Sequence, residues 1–162
     1  MRYRGKLIVL VAGFVLMVAI AGTASGTPPV GSATTIALNT GTVNGAVNMP
    51  ANVGVKLITT ASVDVVQTNS TAAAGWSSGW HSHNGPVIVS IKSGTLTVYS
   101  SACAGVTYGP GQAAGSAFVE PPNRPVLARN EGTTSVEWFT TQIIPTGSAT
   151  RNDVSPGLCG LL

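Results

Sequence analysis

A chain of 162 residues holds one domain comfortably and two only with difficulty. Its formal charge of +3 comes from Arg2, Arg4 and Lys6. Beyond them Lys56, Lys92, Arg124, Arg129 and Arg151 are matched one for one by Asp64, Glu120, Glu131, Glu137 and Asp153. A neutral remainder with no basic stripe argues against nucleic acid as a partner.

In chain order, the three early cations precede an uncharged apolar run over residues 7–21 and then small residues. This pattern predicts an export signal over residues 1–26, cut near 21–26. The run is short against the roughly 20 residues of a spanning helix, so membrane contact is expected only if the segment stays uncleaved. The mature domain is expected to be secreted or associated with the cell envelope. Residues 27–54 are uncharged and rich in Thr, Gly, Ala and Asn. They read as an extended lead-in, with a weak hairpin about Asn44-Gly45.

From residue 55 onward short β-type runs alternate with turn residues. Strands are predicted at 55–59, 62–68, 79–83, 87–91, 94–100, 117–120, 126–130 and 135–144. No helical apolar stripe interrupts them. With 20 glycines and 10 prolines the chain is turn-dense. Eight short strands predict an all-β sandwich or closed double-sheet barrel over residues 55–145, with no substantial helix after the signal. The core is expected from residues 55–59, 63–66 and 87–91. Cys103 and Cys159 are the only cysteines. In an exported chain an even count favours a disulfide, here one that ties the tail, residues 146–162, back onto the barrel. Such closure would stabilise the fold by roughly 4 kcal/mol on the chain-entropy account.

His81 and His83 are the only histidines. Two apart on a strand, they share a face and lie close enough to hold one metal ion. Trp76 and Trp80 flank them, and Asn84-Gly85 follows as a hairpin signal. Glu120 reads as a solvated strand-end residue paired with Arg124, with metal ligation as its alternative role. Asp64 reads as a residue of a polar outer face, and Gln112, after Pro110-Gly111, as a turn residue or a weak oxygen ligand. Tyr99 and Tyr108 are the phenols available to a metal-free acid–base scheme.

The spacing around the pair resembles the cupin superfamily. Gly75, five residues, His81-Ser82-His83 and later Gly94 match the first cupin motif; Gly115, five residues, Pro121 and later Asn130 match the second. The stretches 79–83, 92–96 and 129–132 look like small exported bacterial cupins in particular. The resemblance implies a double-stranded β-helix, or jelly-roll barrel, and a family that commonly dimerises. It also implies a metal held by both histidines, a first-motif glutamate and a second-motif histidine. Here those last two positions fall at Val87 (or Ile88) and Val126, both apolar, and a motif glycine is replaced by Asn123.

The sequence therefore favours an exported cupin with an incomplete metal site, binding a small ligand or holding metal weakly, without established catalysis. Trp80, Val87, Val126 and Gln112 are its expected pocket. The alternative is a metal-dependent oxygenase or isomerase using His81, His83 and a borrowed carboxylate such as Glu120, with manganese, iron, zinc or nickel. A structural or interaction module of the envelope is a third reading.

Overall fold

The computed structural model describes residues 26–49, 54–155 and 159–161; the predicted signal segment lies almost wholly outside them. Twelve strands follow in chain order: β1 Ala33–Val43, β2 Val47–Met49, β3 Leu57–Thr59, β4 Val63–Ala72, β5 His81–Ser82, β6 Val87–Ser93, β7 Leu96–Ser100, β8 Gly105–Tyr108, β9 Ala117–Glu120, β10 Val126–Arg129, β11 Val136–Pro145 and β12 Asn152–Asp153. No helix occurs among the described residues.

The strands form two five-stranded antiparallel sheets, ordered β1-β4-β11-β6-β9 and β12-β5-β10-β7-β8, and a small β2-β3 ribbon. From β4 to β7 each strand lies in the opposite sheet from the one before, and β9 to β12 alternate likewise. This alternation wraps the chain into a jelly roll with one shared interior.

Side-chain alternation explains which residues fill it. On β6, Val87, Val89 and Ile91 are buried while Ile88 points outward. On β11, Val136, Trp138, Gln142 and Ile144 face inward. Ala72, Trp76, Val87, Val89, Ile91, Leu96, Ala128, Val136 and Trp138 form one core cluster. Each large apolar member contributes about 1.5–3 kcal/mol by leaving water. Trp76 and Trp138 pack at the centre, 5.3 Å between centroids. Asn130 is only 1% exposed because it joins loops: its Nδ2 donates to the carbonyls of Ala72, Ala73 and Thr134, and its Oδ1 accepts from Gly132 N–H.

Several expectations are corrected. The lead-in is not outside the barrel, because β1 pairs with β4 along its whole length. Val55 is 72% exposed and Ile58 52% exposed, so residues 55–59 are not core; their strand β3 pairs only with β2. Asn84-Gly85 closes no hairpin, since β5 and β6 belong to different sheets. Gly85 is required there by close approach: a Cβ would collide with the Ile143 carbonyl. Asn123, standing at a motif glycine, keeps the left-handed backbone (φ 56°) that asparagine tolerates better than most residues. Strands β8 and β12 had no expected counterpart, and the expected hairpin about Asn44-Gly45 does not form, because β1 and β2 on either side of it pair with β4 and β3.

Cys103 and Cys159 are disulfide-bonded, with Cα atoms 5.3 Å apart. The tail returns to the barrel as expected. It adds β12 beside β5, with Asn152 opposite Ser82 and Asp153 opposite His81.

Candidate functional site

The two sheets enclose a cavity of about 420 Å³. His81 and His83 enter it from β5 and the residue following it, and Glu120 enters from the end of β9. All three are buried, at 6%, 6% and 5% exposure. One donor atom from each lies within 4.8 Å of the other two. The imidazoles meet edge to face, 4.9 Å between centroids.

Glu120 reaches the histidines through strand register. It sits opposite Val87 in the β6–β9 pairing, so the carboxylate comes from the strand beside the position where the first-motif glutamate would stand. The expected solvated residue paired with Arg124 is thus a buried one whose partner is His83, Nε2 to Oε2 at 3.0 Å. Residues 121–123 carry the chain past the histidines, and Asn123 N–H donates to the His83 carbonyl at 2.8 Å.

The hydrogen bonds fix the tautomers. His81 Nδ1 lies 2.9 Å from the Gly79 carbonyl, and His83 Nδ1 contacts the Thr150 carbonyl. A carbonyl only accepts, so both Nδ1 atoms carry hydrogen and both Nε2 atoms are left for the site. Backbone carbonyls in this position are the usual orienting partners of metal-bound histidines. Between His83 Nε2 and the Glu120 carboxylate only a proton or a cation can reconcile two lone pairs at 3.0 Å. Two donors each about 2.1 Å from one ion and at right angles lie about 3 Å apart, so the residues present fit a metal.

Arg151 sits beside the group on the cavity wall, donating from Nη2 to the Ser78 carbonyl (2.6 Å) and from Nε to Asp153 (2.7 Å). Burial first, and the Arg151 charge second, push the His81 pKa down to about 4, which keeps this imidazole neutral and ready to ligate.

The expected pocket residues divide. Val87 lines the cavity. Val126 is buried in register with His81 but is not among the residues that line the cavity. Trp80 is fully buried outside the cavity, its Nε1 donating to the Leu161 carbonyl, so it seats the tail. Trp76 forms wall instead. Gln112 is an exposed turn residue, bonded through its backbone to Gly109 and Gly115. Asp64 shares the inward side of β4 with Val66 and Thr68, not an outer face. It lies at the rim, accepting from Thr42, Thr146 and Gly147, and these bonds lower its pKa. Tyr99 donates to Glu131 near the surface, and Tyr108 packs on Phe118, so neither phenol faces the histidines. The motif residues Gly75 (φ 78°), Gly94 (φ 74°) and Gly115 (φ 86°) occupy left-handed turns, and Pro121 is exposed beside Glu120.

Sequence reading missed Thr150, Arg151 and Gln142. Thr150 acts through a backbone carbonyl, which leaves no side-chain signature. Gln142 had a signal: a polar residue in the inward frame of a strand that is otherwise largely apolar on that side.

No protein-family model matches the chain, and no curated protein matches it in sequence. Solved structures do resemble it. A cupin-like protein of Thermotoga maritima aligns with 78% of this chain and 79% of its own, at 12% identity and a TM-score of 0.54. A cupin superfamily protein of Desulfitobacterium hafniense aligns with 70% of this chain and 79% of its own, at 11% identity and a TM-score of 0.47. A structure of DMSP lyases gives 18% identity and 0.46 over 56% of this chain, which spans only 44% of that one. At these identities the likeness concerns the fold alone. With two five-stranded sheets exchanging strands along the chain, that fold is the double-stranded β-helix of the cupins.

Proposed function

We propose that this protein is a metal-dependent cupin that binds and acts on a small organic molecule, with His81, His83 and Glu120 holding one divalent transition metal. The observation that supports it is the arrangement at His83. Its Nδ1 hydrogen is committed to Thr150, and its Nε2 faces the buried Glu120 carboxylate at 3.0 Å. It favours the borrowed-carboxylate alternative over the reading without established catalysis: Glu120 on β9 would stand in for the first-motif glutamate, while the second-motif histidine position stays apolar at Val126.

Structural metal sites are closed by four protein ligands, whereas catalytic ones keep positions open. Three ligands at the wall of a cavity are of the second kind. Two histidines and one carboxylate suit iron, and equally manganese, nickel or zinc. Such an ion, when bound, supplies Lewis acidity toward a ligand oxygen. The chain itself orients both imidazoles, excludes water with Val87, Val89 and Trp138, and keeps the Arg151 charge at hand. The Cys103–Cys159 bridge supports export to an oxidising compartment, in line with the signal expected over residues 1–26.

Metal analysis tests this. After stripping and reconstitution with manganese, iron, zinc or nickel, wild type is expected to hold one ion per chain. His81→Ala, His83→Ala and Glu120→Gln should each lose it, by more than the about 10- to 100-fold typical of a ligand's supporting partner. A wild type that stays empty in excess of all four metals ends the proposal.

A further inference from the structure

The cavity wall formed by β1, β4 and β11 carries polar side chains in a regular order. Thr35 and Ser70 hydroxyls pair at 2.9 Å, and Thr68 and Thr140 hydroxyls at 2.6 Å. Gln142, the next inward residue along β11, breaks this pattern of satisfied pairs. Its register neighbours are Val66 and Val87, which offer no hydrogen bond. It is 8% exposed, it lines the cavity, and its Oε1 has no partner among the described residues. A buried acceptor left unmet works against folding, and such residues persist where function uses them.

Its position relates it to the metal group. Glu120, Val87 and Gln142 lie in one row across β9, β6 and β11, so Gln142 stands two strand spacings, about 10 Å, from Glu120 on the same inward face. At the histidine end of the cavity Arg151 is paired with Asp153 and the one lining carboxylate, Glu120, is opposed by His83, so a divalent ion held there would leave that end with net positive charge. An anionic oxygen is favoured there. Val66 and Val87 flank Gln142, and Asp64, the nearest acid on that face, is already met by Thr42, Thr146 and Gly147, so the donor that meets Oε1 is neutral.

Resting on the metal reading above, we infer that the cavity takes a small hydroxylated organic acid, its carboxylate at the metal end and its hydroxyl donated to Gln142 Oε1.

The probes are 4-hydroxybutyrate and butyrate, titrated into protein loaded with manganese. Wild type is expected to bind the hydroxy acid about fivefold to tenfold more tightly, the value of one hydrogen bond to a buried acceptor. In Gln142→Leu and Gln142→Met that preference should vanish while one ion per chain is retained. Both variants should also melt at higher temperature, because an unmet acceptor has been removed. Equal binding of the two acids by wild type, or binding of neither, overturns the inference; so does a preference that survives in both variants. Lower melting temperatures in both would make Gln142 structural, and loss of metal from both would make it a ligand; either result overturns it. Failure of the metal reading is seen separately, in metal analysis before any acid is added.

Discussion

His81 and His83 are two residues apart and equally buried, yet different regions of the molecule hold them. His81 is oriented locally, by the carbonyl of Gly79 and the adjoining Ser78 hydroxyl, which also accepts from Ala128 N–H. His83 is oriented from a distance, by the carbonyl of Thr150, 67 residues along the chain. The first support is part of the barrel. The second is part of a tail that adds one two-residue strand and is fastened by Cys103–Cys159. The tail touches both histidines, reaching His81 through the β12–β5 pairing and Arg151, but only His83 takes its Nδ1 hydrogen bond from it.

The largest expected effect comes from breaking that closure. Cys159→Ser, or reduction of the bridge, should lower stability by roughly 4 kcal/mol on the chain-entropy account, measured by urea unfolding. With Thr150 less firmly placed, metal affinity should fall by about 10- to 100-fold, the usual cost of losing a ligand's orienting partner. The asymmetry itself is read by NMR. The His83 Nδ1 proton should exchange faster in the reduced protein while that of His81 stays protected. Equal loss of protection at both histidines would show that the tail supports the site as a whole.

A pH series tests the local side. In metal-free protein the His81 pKa is about 4, against 6.5 for the free side chain, chiefly because burial disfavours the charged ring. Between these values the unfolded chain binds a proton that the folded one refuses. Stability is therefore complete above pH 6.5 and is lost as the pH falls toward 4, by about 3 kcal/mol. Hydrogen bonds lower the Asp64 and Glu137 pKa values, so those carboxylates add to the loss only at the acid end of this window and below it, as their unfolded forms take up protons. His81→Asn should flatten the slope between pH 6.5 and 4 in chelator. An unchanged slope would assign it to another group.

These dependencies also explain what could be read from the chain. The pair His81 and His83 and the alternation Val87, Val89, Ile91 are local patterns, visible as spacing. Glu120 is a lone carboxylate beside Pro121, and nothing local separates it from a solvated one. Its burial follows from the β6–β9 register that sets it opposite Val87. β1 was invisible for a related reason: its Thr-, Gly- and Ala-rich segment has little apolar alternation, and its strand character comes from pairing with β4. The tail was legible only as far as its cysteine. That Thr150 presents a carbonyl to His83 is a property of backbone path, which side-chain identity does not encode.

The smallest effect should separate the tail's docking from its covalent anchor. Asn84 follows His83 directly and grips the tail twice, donating from Nδ2 to the Ala149 carbonyl at 2.8 Å and accepting from Asn152 Nδ2 at 3.0 Å. Both bonds flank Thr150 in sequence, so they set where its carbonyl lies. Asn84→Ala removes both and should cost about 1 kcal/mol per bond at most, since these groups are partly exposed and water can replace the partner. Metal affinity should fall less than in Cys159→Ser, because the disulfide still confines the tail. Asn84→Asp keeps the acceptor for Asn152 and loses the donor to Ala149, so its effect should lie between wild type and Asn84→Ala. Titration calorimetry with the same metal across the series would show this ordering. If Asn84→Ala weakens metal binding as much as loss of the bridge does, the hydrogen bonds at Asn84, and not the disulfide, place Thr150 over His83.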